Sequence, residues 1–191
     1  MSDPYLRFAN STLGGKLAGA LGLPRPPVLE RYREDQPTVA GEVVLGASEN
    51  GPLLSAILRV LAQMKARVSS HGNTPDWIAG ANQAGLMVGR FTAPEKGKDQ
   101  KRQKIKALVF DASGIRDSTQ FDALYHFFHD TVRSLDRCGR ILVLGRPPES
   151  CDTPRQATAQ RALEGLTRSL GKEVRRGCTA QLVYVAEGAA D

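Results

Sequence analysis

The chain has 191 residues, of which 41% are hydrophobic, 24% charged and 6% aromatic, and its net charge is +6. That size buries a core without staples, and that apolar share excludes an intrinsically disordered chain. No run approaches the ~20 apolar residues of a membrane span, and the Met-Ser-Asp-Pro-Tyr start lacks the basic-then-apolar pattern of a secretory signal. Cys138, Cys151 and Cys178 are an odd number without metal-ligand spacing. They read as reduced thiols of a cytoplasmic protein, with neither a disulfide frame nor a metal site.

Residues 1–40 read as an arm punctuated by Gly14-Gly15, Pro24, Pro26-Pro27 and Pro37. One helix is predicted over Ser11–Leu21, with Leu13, Leu17 and Leu21 on a shared face. From Gly41 the pattern is regular. Glu42–Leu45 is a strand, and Pro52–Lys65 a helix with Leu53, Leu54, Ile57, Leu58, Leu61 and Met64 as its stripe. Arg67–Ser70 is a weak second strand, 71–84 a loop or short helix around Trp77, and Gly85–Phe91 a third strand. Lys106–Phe110 is a strand, Ser118–Asp136 a helix, Gly139–Gly145 a strand apolar on both faces, and Pro154–Val174 the longest helix. Arg175-Arg176-Gly177 ends that helix with cations at its dipole and a C′ glycine. Ala180–Val185 is the last strand.

Alternating helices and fully apolar strands predict an α/β fold, a doubly wound parallel sheet, Rossmann- or flavodoxin-like, of five or six strands with helices on both faces. Ligands on such sheets bind beyond the carboxyl ends of the strands, which singles out loops 46–52, 111–115 and 145–156.

Much of the positive charge sits in residues 95–106, with six Lys/Arg against two Asp/Glu. Lys96, Lys98, Lys101, Arg102, Lys104 and Lys106 read first as a solvated loop and second as a patch for an anionic partner such as an acidic acyl carrier protein. Without interleaved aromatics, the segment does not read as a nucleic-acid site. His126 and His129 lie three apart on a helix and read as surface or interface histidines, because no further ligands converge on them.

VVLGASENG, ALVFDASGI, GRILVLG and RALEGLTRSLGKEV, in that order, resemble the short-chain dehydrogenase/reductase pattern over residues 41–186. By that resemblance, the family's tyrosine and lysine fall on Gln156 and Gln160, and its serine near Arg146-Pro147-Pro148. A glutamine offers no phenol to donate a proton and no cation beside it. Gly46, Asn50, Gly51 and Pro52 stand in the glycine-rich cofactor turn, where Pro52 has no N–H for a phosphate. Asp111 stands where the family has an Asn-Asn-Ala-Gly turn and would repel a phosphate; alone, such a residue more often caps the following segment.

LGLPRPPVLERYREDQP, LVFDASGI, RCGRILVLG and QRALEGLTRSLGKEVRRG are more similar still to the non-catalytic, flavodoxin-like N-terminal domain of high-molecular-weight β-ketoacyl-ACP reductases. The resemblance implies a degenerate domain over 41–186, with 187–191 leading to an absent catalytic domain of the same polypeptide. That parent would reduce 3-oxoacyl thioesters with NADH or NADPH in fatty-acid biosynthesis, with no cofactor in this segment. Docking, including self-association as a homodimer, would use the helices of Phe121, Leu124, Phe128, Leu163, Leu166 and Leu170. A rival expectation is an oxidoreductase that holds FMN or a nicotinamide at loops 46–52 and 111–115.

Overall fold

The structure, a computed structural model, describes residues 3–31, 33–72, 75–93 and 105–189. The elements in chain order are α1 (Pro4–Ala9), α2 (Thr12–Ala20), β1 (Glu42–Ala47), α3 (Leu54–Gln63), β2 (Arg67–Ser70), α4 (Pro75–Gln83) and β3 (Val88–Arg90). They continue with β4 (Ile105–Asp111), α5 (Phe121–Thr131), β5 (Leu135–Gly145), α6 (Pro154–Glu173) and β6 (Thr179–Tyr184). The six strands pair in parallel in the order β3-β2-β1-β4-β5-β6. This is the Rossmann order and not the 2-1-3-4-5 of flavodoxins, so the topology decides between the two expected sheets. The order reverses between β1 and β4, which opens a crevice at their carboxyl ends.

Strand alternation sorts the core into two layers. Val43 and Leu45 of β1 and Ala107 and Val109 of β4 face α3 and α4. Val44, Leu108, Phe110, Ile141 and Val143 face α5 and α6. Phe127 is fully buried in this second layer, with its ring 5.1 Å from Phe110 and 4.9 Å from Phe128. Gly46 lies under the Phe127 ring, on the face away from α3.

Several sequence expectations shift. Pro52 lies before α3, which starts at Leu54 with Leu53 as its cap residue. The helix expected over 118–136 is α5 flanked by two 3-10 turns, and Leu135 already belongs to β5. Thr131 Oγ1 donates back to Phe127 O at 2.7 Å in the last α-helical turn, and the Val132 N–H, donating to Phe128 O, closes the ladder. The β4–β5 register shifts between Ile105 and Ala107, and Cys138 in that stretch has φ 54°. The third strand is only Val88–Arg90. The Trp77 side chain lies outside what is described.

The arm differs most. Its first helix, α1, carries no apolar period to announce it. Leu13, Leu17 and Leu21 do share a face, but that face is 82%, 53% and 64% exposed. The packed face is Gly14, Gly15 and Ala18, because those small residues let α2 approach Phe8 and Arg25 closely. The arm then runs to the amino end of the sheet. There the Glu30 N–H donates to Cys138 Sγ at 3.3 Å, and Lys106 Nζ meets the Glu30 carboxylate at 2.7 Å.

No helix among the described residues is long and apolar enough to cross a membrane. Phe127→Ala should cost about 3–5 kcal/mol, since it opens a cavity between α5 and the sheet. Urea unfolding followed by circular dichroism reads that loss as a lower midpoint.

Candidate functional site

The period of two on β4 aims Asp111 at α3, beyond Ala107 and Val109. It is the last residue of the strand and lies at the switch point. Its side chain has no solvent exposure. Oδ2 accepts the Leu53 N–H at 3.1 Å, and Oδ1 accepts the Ser113 N–H at 3.0 Å and the Ser113 hydroxyl at 2.5 Å. Its carbonyl oxygen accepts the Ser48 N–H at 2.8 Å and the Ser48 hydroxyl at 2.9 Å. Burial raises the Asp111 pKa above the usual carboxylate value, and the hydrogen bonds from Ser113 and Leu53 oppose that rise.

The loop after β1 closes onto this carboxylate. Asn50 takes a left-handed backbone, φ 57°. A Cβ on Gly51 would lie 2.5 Å from Asp111 Oδ2, and one on Gly114 would lie 2.5 Å from Glu49 O and 2.8 Å from Gly51 N. Both glycines are therefore needed for the close approach of the β1 and β4 loops to each other. In a dinucleotide site such loops leave room for a pyrophosphate at the helix N-terminus. Here a carboxylate of the chain itself takes the first helix donor, and Pro52 supplies none.

The next crevice wall is built by α6. Thr153 caps it by accepting the Gln156 N–H at 3.2 Å, while Gln156 Oε1 accepts the Asp152 N–H at 3.2 Å. The two form a reciprocal pair akin to a capping box. Gln160 is wholly buried. Its Nε2 donates to Ala112 O and Ile115 O, both at 2.9 Å, and its Oε1 accepts the Arg146 N–H at 2.8 Å. One amide thus ties the loop after β4 to the loop after β5. Gln156 and Gln160 are brought to the same wall, where Gln156 Oε1 and both polar atoms of Gln160 are bound to backbone. The Arg146 guanidinium turns to Glu187 at 3.2 Å and Asp152 at 3.7 Å.

Other sequence candidates fall elsewhere. Burial raises the Cys151 pKa, with Arg146 opposing, so the thiol is held protonated. Tyr184 donates to Gln160 O at 3.1 Å, and its pKa is raised by burial and by Glu164. His126 pairs with Asp122 at 3.1 Å on the outside of α5. His129 meets Asp130, whose other oxygen meets His71 Nε2 at 3.0 Å. Burial opposes ionisation of Asp130, but these two histidines outweigh it and lower the pKa. No group of three or more potential metal ligands occurs among the described residues.

Lys96, Lys98, Lys101, Arg102 and Lys104 lie outside the described residues. Lys106 is turned inward to Glu30 and Arg137 O, so it does not join an exposed patch. Leu124, Phe128, Leu163 and Leu170 are buried against the sheet, with Phe121 and Leu166 partly buried beside them. The outward surface of these helices instead carries Tyr125, His126, His129, Arg161 and Arg168. The sequence reading missed the roles of Ser48 and Ser113. Ser113 was findable, as an Asx-type turn two residues after an aspartate; Ser48 had no local signal.

With this geometry in place, the fold can be set beside known proteins. No family model and no curated protein matches the sequence. Among solved structures, the chain is similar to a dehydrogenase/reductase from Sinorhizobium meliloti 1021 at 19% identity and TM-score 0.56, covering 78% of this chain and 73% of that one. It is similar to a double variant of a Serratia marcescens short-chain dehydrogenase/reductase at 17% identity and TM-score 0.55, covering 78% and 75%. It is likewise similar to a blue fluorescent protein from a metagenomic library, in complex with NADPH, at 20% identity and TM-score 0.55, covering 78% and 75%. The chain has the Rossmann-like fold of short-chain dehydrogenases/reductases.

Because the folded-state pKa of Asp111 lies above its unfolded value, folding takes up a proton between the two. The Asp111 contribution is full below the unfolded pKa and is lost as pH rises through the folded one. Stability of the wild type relative to Asp111→Asn should therefore fall across that interval. Urea midpoints of both proteins from pH 3.5 upward read it, and a difference that rises with pH contradicts the assignment.

Proposed function

We propose that this chain is a non-catalytic member of the reductase fold, the structural and docking domain of a 3-oxoacyl-ACP reductase whose chemistry resides in a separate catalytic domain. The Asp111 carboxylate at the N-terminus of α3 carries the reading. It puts a buried acid where a dinucleotide phosphate would need helix donors, and it uses the Leu53 N–H itself. The residues of this crevice do not fit a pyrophosphate, because Gly51 and Gly114 pack the two loops together over that position. The glutamines support the same reading. A hydride transfer to a ketone needs a titratable donor beside the carbonyl, and Gln156 and Gln160 are neither titratable nor free.

The assignment to 3-oxoacyl thioester reduction rests on the sequence resemblance of residues 21–37, 108–115, 137–145 and 160–177. The reductase partner would add hydride to C3 and a proton to the oxygen, while this domain supplies packing surface. The outward face of α5 and α6, with Tyr125, His129, Arg161 and Arg168, is the surface offered to it. That face is polar at its rim, as docking surfaces between domains of one chain commonly are.

Calorimetric titration of the 191-residue protein with NADH, NADPH and FMN in turn is the test. No saturation is expected up to ~1 mM, the equivalent of about 4 kcal/mol of binding. Micromolar saturation by either nicotinamide would overturn the reading and make the crevice a cofactor site.

A further inference from the structure

The sheet face that carries α3 is only half covered. α3 and α4 lie over β1, β2 and β3, but no helix among the described residues lies over β4, β5 and β6 on that side. A groove of about 1220 Å³ runs there, between α3 and residues 36–40. Its floor is Ala107 and Val109 of β4, Leu142 and Leu144 of β5, and Val185 after β6. Its wall is the flank of α3 formed by Ala56, Val60 and Met64, spaced by four so that they make one ridge. Val60 is 51% exposed although it sits in an apolar helix next to an apolar sheet. Parallel sheets are normally covered on both faces, so this floor is a surface that a further layer fits.

The dimensions select the kind of occupant. Strands lie about 4.8 Å apart, so β4 to β6 span about 10 Å, the diameter of one α-helix with its side chains. A volume above 1000 Å³ exceeds the usual range for a small-molecule pocket. The charge at one end selects the chemistry. Arg31, Arg33, Arg137 and Arg140 line the groove toward the amino ends of β4 and β5, with Lys106 turned inward to Glu30. Glu30 meets Lys106 at 2.7 Å and Arg137 at 3.7 Å, Arg33 pairs with Asp35 at 3.0 Å, and Arg140 donates to the carbonyls of Cys138 and Gly139. With Glu30 and Asp136 as the carboxylates of the lining against Arg31, Arg33, Lys106, Arg137 and Arg140, this end keeps a cationic excess. A helix laid alongside α3, antiparallel to the strands, brings its negative C-terminal end to this cationic rim.

We propose that this groove docks an amphipathic helix of a partner protein, with an apolar stripe over β4–β6 and acidic residues in its last turn at the Arg31/Arg140 rim. The surface is on the opposite side of the sheet from α5 and α6, so it is a second docking site, independent of the one above. The exposed leucine stripe of α2 in a second copy is the competing occupant. It carries Lys16 and no carboxylate between Thr12 and Ala20, and so does not match the rim.

The test is fluorescence anisotropy of the full chain with three labelled 16-residue probe peptides. One has leucines at helical spacing and three glutamates in its last turn, the second replaces those glutamates by lysines, and the third replaces the leucines by serines. The acidic peptide should bind at least tenfold more tightly than either control, and 0.5 M salt should erase its advantage over the lysine peptide. Val60→Glu, on the exposed ridge, should weaken it at least tenfold. Arg31→Glu, in the exposed arm, should reverse the preference between acidic and basic peptides and serves if the helix variant misfolds. Equal binding of the three peptides, or indifference to both variants, overturns the proposal. A dimer in light scattering that both Leu17→Glu and Val60→Glu dissolve overturns it in favour of a second copy.

Discussion

The geometry of the site depends on one buried carboxylate. Asp111 is held at the switch point of the sheet by the alternation of β4, and it accepts hydrogen from both neighbouring loops at once. A buried acid without partners would be costly; with three donors it becomes the point on which the two loops converge. The left-handed Asn50, the close packing of Gly51 and Gly114, and the exclusion of Pro52 from α3 all follow from the loops closing on that atom pair. In a dinucleotide-binding protein a ligand draws the same loops into order. Here the chain supplies the anion itself.

Gln160 plays the matching part on the other side of the crevice. Its amide satisfies two carbonyls and one N–H on two separate loops, which a lysine could not do because it has no acceptor. The buried amide is therefore satisfied at both of its polar atoms. Gln160, and Gln156 through its Oε1, are thus groups that meet the backbone.

Much of this was legible beforehand. The strands and the long helices follow from apolar periodicity, and Asp111, Gln156, Gln160 and Pro52 stood out because their chemistry differs from that of the motif the sequence resembles. What was not legible was contact across the sheet. Spacing placed Leu13, Leu17 and Leu21 on one face but could not say that glycines would pack inward instead. Leu124, Phe128, Leu163 and Leu170 were expected partly in the core and partly at an interface, and the apolar stripe of a helix on a sheet puts them against the sheet. The strand order, which separates Rossmann from flavodoxin sheets, resides in crossovers that no local pattern encodes.

The last strand carries a consequence of another kind. Among the described residues β6 lies at one edge of the sheet, and its sequence, Thr-Ala-Gln-Leu-Val-Tyr, holds no proline, no charge and no bulge. Those are the devices by which edge strands refuse further pairing. With none of them present, the protein's colloidal behaviour depends on repulsion between copies that each carry a net charge of +6. Screening shortens that repulsion to about 3 Å at 1 M salt. The ionic strength that leaves the fold intact is thus the variable that decides whether neighbouring molecules begin to extend one another's sheets.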